Sequence, residues 1–173
     1  MSITPTPPRG RDRDRYLGWV PVGLVGGELG GLGLALTSMI WAWFNGLGFW
    51  YPLSLFGSLL LGESAVSHGA AASADLLGVA VLVVLSALFG LVFTYGVAHT
   101  GLAQGAIIAV GVGWGLLLWA IGVAFIDAQF IPAGLSDAPT SMMVVSFIVW
   151  GFLLGLVTAM SLARSPHLIR QRP

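Results

Sequence analysis

The chain has 173 residues, of which 57% are hydrophobic and only 8% are charged, and it contains no cysteine. Because a soluble domain carries about 25% charged residues, this composition cannot cover a water-facing surface and predicts an integral membrane protein. The absence of cysteine excludes disulfides, thiolate metal sites, iron–sulfur clusters and covalently attached c-type haem.

The positive charges lie only near the two ends of the chain. The formal net charge is zero, there is no lysine, and the seven arginines fall within residues 9–15 and 164–172. By the positive-inside rule both segments are cytoplasmic, so the number of membrane spans should be even. We predict cytoplasmic tails over residues 1–16 and 164–173, which flank an all-α transmembrane domain over residues 17–163.

Residues 1–15 combine proline, threonine and alternating arginine and aspartate without an apolar run. Asp12 and Asp14 offset much of the positive charge, so a solvated tail is favoured over a patch that binds nucleic acid or anionic lipid. The apolar run that follows is too long for a signal-peptide core and lacks a small-residue cleavage site. We therefore expect it to be retained as an anchor.

The first predicted span covers residues 17–44 and is rich in glycine. On a helical wheel of about 100° per residue, one face carries only small residues: Gly23, Gly26, Gly27, Gly30, Gly33, Thr37 and Ser38. Small residues let another helix backbone approach closely, which favours helix packing in lipid. Span 1 is therefore predicted to be a contact helix, with Trp19 at its inner interface and Trp41 and Trp43 at its outer one.

Glu28 lies at the flank of this small face, roughly 16 Å into the span at 1.5 Å per residue. That depth is near the middle of a hydrocarbon layer about 30 Å thick, where an ionisable group is costly unless it is paired, protonated or hydrated. No span contains a positive residue. Three interpretations stay open, in which Glu28 is protonated, hydrogen-bonded to a carbonyl or hydroxyl group, or paired with another subunit.

A short apolar piece over residues 53–62 follows span 1 and is too short to cross a bilayer. We predict that it forms an interfacial or re-entrant half-helix on the outer side, held by Trp50 and Tyr51. Residues 63–75 are then predicted to form a polar outer loop.

Three further spans are predicted over residues 76–98, 105–126 and 141–163. The turn over residues 99–104 is short, so spans 2 and 3 are predicted to be antiparallel neighbours. Spans 3 and 4 carry small-xxx-small pairs that favour helix packing, namely Gly111, Gly115, Gly151 and Gly155. Four spans satisfy the even-number requirement and place the acids of the loops outside: Glu63, Asp75, Asp127 and Asp137.

The histidines and the outer acids do not form a recognisable cofactor site. His68, His99 and His167 are predicted to lie at different depths, so no two of them can clamp one haem. A role for His99 as the single ligand of a pigment or metal shared with a partner stays open. The outer acids match no Ca²⁺ loop, and we predict no metal site, no catalytic residue and no cofactor that the chain holds alone.

Three tryptophans lie deeper than an interface belt, namely Trp114, Trp119 and Trp150. Flat apolar ligands favour aromatic walls, so these residues are candidates to line a groove for lipid, quinone or carotenoid. Simple packing against other helices or lipid is the alternative.

The segment Gly48-Phe49-Trp50-Tyr51-Pro52-Leu53, following a glycine-rich first span, resembles small four-helix membrane proteins of bacteria without assigned activity. Some of that group are thought to accompany respiratory oxidase complexes. The likeness covers roughly the first third of the chain and its general layout. It implies a subunit role in the bacterial cytoplasmic membrane and transfers no catalytic residue.

Two functions are considered from these patterns. The first is an accessory, non-catalytic subunit of an energy-converting membrane complex, respiratory or photosynthetic, because the glycine-rich faces exceed what a four-helix monomer needs. Its partners would be larger membrane subunits and lipids, with no nucleic acid. The alternative is a small oligomeric proton- or cation-coupled transporter or channel, in which Glu28 binds the ion and the half-helix is re-entrant. No nucleophile, metal set or acid–base pair favours an enzyme.

Overall fold

The computed structural model describes residues 11–61, 71–98, 100–122 and 139–164, with side chains described in these ranges except at 11–17, 59, 71 and 72. This part of the chain is all helical: α1 (Arg11–Phe44), α2 (Tyr51–Leu61), α3 (Ala71–Ala98), α4 (Gln104–Ile121) and α5 (Thr140–Arg164). Four of these helices, all but α2, are long and apolar enough to cross a membrane. The predicted all-α fold with four spans and a short extra helix is confirmed, and the chain is a multi-pass membrane protein.

The helix bounds differ from the prediction at both of the polar segments that precede a span. α1 begins at Arg11, within the predicted tail, and α3 begins at Ala71, so Asp75 lies in a helix and not in a loop. Arginine and alanine are both strong helix formers, and a spanning helix can continue into the headgroup region. The predicted end of span 3 at residue 126 lies outside the described residues, as do Glu63, Asp127 and Asp137.

The spans pack side by side in the order α4, α5, α1, α3, while α3 and α4 hardly touch. The prediction that these last two are neighbours is therefore wrong. A short turn sets the antiparallel direction of two helices, but lateral contact depends on which faces match. Here α4 finds matching glycines on α5, and α3 finds them on α1.

Glycines bring neighbouring helices together backbone to backbone, as two of the contacts show. A Cβ built on Gly27 of α1 would lie 3.2 Å from the Cα of Gly90 in α3. A Cβ built on Gly111 of α4 would lie 2.9 Å from the Cα of Gly155 in α5. Both glycines also lie against a backbone carbonyl, of Ser86 and Gly151 respectively. No larger residue fits at either position unless the helices move apart.

Apolar side chains from every helix fill the space between the spans. The main cluster of buried residues comprises Leu34, Met39, Leu53, Leu82, Phe93, Val97, Ile107, Trp150, Leu154 and Ala159. A smaller cluster joins α1, α2 and α5, and comprises Ala42, Leu55 and Met142. Because adjacent spans are antiparallel, α1 ends at the same side of the assembly as α3 and α5 begin. We call this side the Phe44 end and the opposite side the Arg164 end.

α1 ends in a Schellman motif, which reverses the chain direction. The Leu47 N–H donates to the carbonyl of Ala42 at 3.0 Å and the Gly46 N–H to that of Trp43 at 3.2 Å. Gly46 has φ 75°, a left-handed conformation that glycine adopts without a Cβ penalty. The chain is therefore directed back toward the bilayer immediately after the first span.

The short helix α2 lies antiparallel against the first turns of α3. The Leu53 carbonyl lies against Gly78, and Gly57 lies against the Ala74 carbonyl. Both predicted arrangements of this helix, interfacial and re-entrant, are compatible with this packing.

A side-chain hydrogen bond also joins α2 to α3. The Ser54 hydroxyl donates to Oδ1 of Asp75 at 2.6 Å. Asp75 is half-buried at this contact, so the acid that was expected in a solvent-exposed loop instead attaches the half-helix to the second span.

The stability of the α4–α5 contact can be tested with two neighbouring glycines. Gly111→Ala should destabilise the protein by about 1–3 kcal/mol, the usual cost of overpacking, because the new Cβ meets the Gly151 carbonyl. Gly113→Ala is the matched control, since a Cβ at this position has nothing within 4 Å. It should be neutral or stabilising by up to about 1 kcal/mol through helix propensity. Denaturation in mixed detergent micelles gives both values, and equal effects would contradict the packing described here.

The attachment of α2 can be tested through Ser54→Ala. Losing the bond to Asp75 should favour local opening of α2 by about 1 kcal/mol, or roughly fivefold faster amide exchange in that helix. Ser58→Ala is the control, because among the described residues the Ser58 hydroxyl bonds only the Leu55 carbonyl of its own helix, at 2.7 Å. Hydrogen exchange followed by mass spectrometry compares them, and identical α2 exchange in both variants would show that the Ser54–Asp75 bond does not hold the helix.

Candidate functional site: the Glu28 face of the first span

α1 presents glycines to two neighbouring helices at once. Toward α3 it presents residues spaced by four, namely Gly23, Gly27 and Gly31. Toward α5 it presents Gly26, Gly30 and Gly33, which lie against Leu154, Trp150 and Leu153. The small face seen on the helical wheel is thus divided between two contacts, whose centres are about 90° apart around α1.

The other glycines singled out from the sequence lie at the contact between α4 and α5, where Gly111 and Gly115 meet Gly151, Gly155 and the Phe147 carbonyl. Sequence reasoning missed the partners of α1 on α3, namely Ser86 and Gly90, as well as Gly31. The signal was present in the spacing of four between positions 23, 27 and 31 and between 86 and 90, which places small residues in one row of a helix.

Glu28 lies on the third side of α1, about 100° from Gly27 and farther still from the glycines that face α5. Its side chain is partly exposed. Its neighbours on this side are exposed apolar residues: Leu24 at 38%, Val25 at 52% and Leu32 at 57%. We call Leu24, Val25, Glu28 and Leu32 the Glu28 face.

The Glu28 carboxylate has no polar partner in the part of the chain that the structure describes. It makes neither a hydrogen bond nor an ion pair with any described residue. Of the three interpretations open from the sequence, the hydrogen bond to a carbonyl or hydroxyl group is not present among the described residues. Within the candidate span Gly18–Phe44, Glu28 lies ten residues from the first residue, or about 15 Å along α1.

The three deep tryptophans do not share one surface. Trp150 is 2% exposed and packs against Gly30 at the α1–α5 contact, so it belongs to the core. Trp114 and Trp119 are partly exposed residues of α4. Their indole Nε1 atoms are buried and find no acceptor among the described residues. Two buried N–H donors on α4 are therefore without an acceptor in the described part of the chain.

Two hydroxyl groups are likewise buried without a hydrogen-bond partner among the described residues. Thr94 Oγ1 in α3 and Ser146 Oγ in α5 are buried without a partner in the described segments. By contrast, the buried hydroxyls of Ser38 and Thr158 donate to carbonyls of their own helices, Leu34 and Leu154, at 2.8 and 2.9 Å. Small buried polar groups of this kind are sites where water is commonly bound.

Aromatic residues gather at the Phe44 end. Trp43 and Trp50 are 65% and 56% exposed, whereas Trp41 and Tyr51 are partly buried. Trp19, which is also partly buried, lies near the start of α1 at the opposite end. Phe49 lies edge-to-face between Trp43 and Trp50, with ring centroids 6.4 and 5.3 Å apart. An open groove of about 440 Å³ is lined by Ile40, Trp43, Phe44, Phe49 and Trp50. Exposed rings at the end of a span are typical of a membrane-interface belt.

The described residues contain no group of three or more histidine, aspartate or glutamate side chains that could hold a metal ion. His68, His99 and His167, including the expectation that His99 could ligate a shared pigment, lie outside the described residues. Glu28, the hydroxyls of Thr94 and Ser146 and the indoles of Trp114 and Trp119 are thus polar groups of the spans that lack a hydrogen-bond partner in the described part of the chain.

No protein-family model, no curated protein and no solved structure matches the chain. The resemblance at the aromatic turn stays a prediction.

Proposed function

We propose that this chain is an accessory, non-catalytic subunit of a multi-subunit energy-converting complex, respiratory or photosynthetic, in the bacterial cytoplasmic membrane. The observation that carries the proposal is the position of Glu28. An acid about 15 Å into a span lies on an exposed face of α1, without a partner among the described residues. A chain that worked alone would leave this group facing lipid, where an ionised side chain costs several kcal/mol.

The closeness of the helices supports a structural role. Glycine contacts at α1–α3, α1–α5 and α4–α5 bring the backbones together and leave little space between these spans. Such a rigid unit can fill a groove between larger subunits and hold them at a set distance. Much of its surface is apolar, for example Val84 on α3 at 64% and Ile40 on α1 at 51% exposed, and this surface suits larger membrane subunits and lipids as partners.

A lipid, quinone or carotenoid shared with a partner is the cofactor that we associate with this role. Trp114 and Trp119 of α4 are partly exposed, so their rings offer an apolar wall to a flat apolar ligand. α4 would then be the helix that contacts the bound molecule.

The second candidate is a small oligomeric transporter or channel that is coupled to protons or cations. The observation in its favour is the combination of a Glu28 without a partner among the described residues with the short helix α2, which packs against α3. Broken or half-length helices frequently mark ion sites in transporters. In this reading Glu28 would line a path between copies of the chain.

Extraction in mild detergent separates the two candidates. We expect the chain to leave the native membrane together with larger, cofactor-bearing subunits in a constant ratio, as measured by native mass spectrometry. The purified chain in liposomes should carry no proton or cation flux above that of empty liposomes. A pure homo-oligomer with flux that disappears in Glu28→Gln would contradict the accessory role and establish the transporter.

The proposed orientation places both tails, and hence the Arg164 end, in the cytoplasm. The chain contains no native cysteine, so single variants can be labelled without background. Ser2→Cys and Ser165→Cys should resist a membrane-impermeant maleimide in intact spheroplasts and react after lysis. Thr140→Cys, at the start of α5 and exposed, should react before lysis. Labelling of the two ends from opposite sides would overturn the four-span topology.

A further inference from the structure

The Glu28 face combines an apolar surface with one unpartnered acid at a depth where acids are rare. Its apolar members Leu24, Val25 and Leu32 are between 38% and 57% exposed. The Glu28 carboxylate makes no contact with a polar group of the described chain. Polar groups inside the membrane usually face a protein partner or a water-filled cavity. The character of this partner can be inferred from the distribution of charge.

This chain does not supply a cation at the required depth. It has no lysine, and its seven arginines fall within residues 9–15 and 164–172. The described arginine nearest a span is the exposed Arg164 at the end of α5. α5 passes Gly26 of α1 at Leu154, and Arg164 lies ten residues farther on, about 15 Å along the helix.

A second copy of the chain would not supply a cation at this depth either. Its spans would bring apolar side chains and another Glu28, and two carboxylates facing each other would repel when ionised. A copy packed in parallel would place its own Arg164 at the same remote level. Charge complementarity therefore favours a different protein over self-association at this face.

We propose that the Glu28 face is the docking surface for a transmembrane helix of another protein, which carries an arginine or lysine at mid-membrane depth. This inference rests on the proposed accessory role and names the chemistry of the partner. Arginine is favoured, because its planar guanidinium can donate two parallel hydrogen bonds to one carboxylate. The leucine and valine side chains on either side of Glu28 exclude water from the pair, which strengthens its electrostatic attraction.

The experiment uses the full chain in its native membrane. A photoreactive phenylalanine analogue replaces Leu32, four residues from Glu28 on the same face. The same analogue at Phe152, which is 44% exposed on α5, is the control position. We expect the Leu32 probe to crosslink a different membrane protein. Peptide mapping should place the crosslink within about two helical turns of an arginine or lysine inside a predicted span of that protein.

Glu28→Gln then tests whether the charge is responsible. The substitution keeps the side-chain shape and should lower the Leu32 crosslink about tenfold or more, since losing one member of a desolvated ion pair is costly. Any crosslink formed by the control probe at Phe152 should have the same yield with and without Glu28→Gln. The denaturation midpoint of the isolated chain should also stay constant, because Glu28 has no partner within the described chain.

The outcomes separate this inference from the proposed function. If larger subunits co-purify but the mapped helix has no cation, or Glu28→Gln leaves the Leu32 crosslink intact, the docking inference is wrong and the accessory role stands. A Leu32 crosslink to lipid only, or to a second copy, overturns the docking inference as well. If no other protein co-purifies, the accessory role itself fails.

Discussion

Close backbone contact at glycine is the interaction on which this fold depends. Lipid is as apolar as leucine, so it provides no hydrophobic force between helices, and association relies on close packing. α1 uses this contact on two sides, through Gly27 against Ser86 and Gly90 and through Gly30 against Trp150. With two directions occupied, the rotation of α1 is set. Glu28 is consequently held on the remaining side, away from both neighbours.

The locations of the spans could be predicted from hydropathy, but the neighbours of each span could not. A bilayer requires about 20 apolar residues per crossing wherever that crossing lies in the assembly, so hydropathy contains no lateral information. The pairing of α3 with α1 depends on the match between Ser86 and Gly90 and the glycines of α1. That match appears only when the two helices are compared with each other, and the short turn before Gln104 suggested a different neighbour.

The candidate site was found from the sequence by one feature, the presence of an acid within an apolar run. The surroundings of Glu28 could not be predicted, because a helical wheel of α1 does not show from which directions α3 and α5 approach. Trp150 illustrates the same limit, since its depth was predictable and its burial against Gly30 was not. Asp75 shows that composition can also mislead: a polar residue near a span end was expected in a loop, and it instead accepts a hydrogen bond from Ser54.

The distance between Glu28 and the short helix α2 weighs on the choice of function. In transporters, the ends of broken helices contribute backbone groups directly to the bound ion. Here α2 meets α3 at Gly78, whereas α3 meets α1 near Glu28 at Ser86, eight residues farther along. This corresponds to about 12 Å along α3. Tyr51, two residues before Leu53, is about 3 Å nearer, so the backbone at the start of α2 still does not reach the level of the acid. Glu28 and α2 therefore do not form one ion site within the chain, and the unpartnered acid is better explained by a group that another protein brings to it.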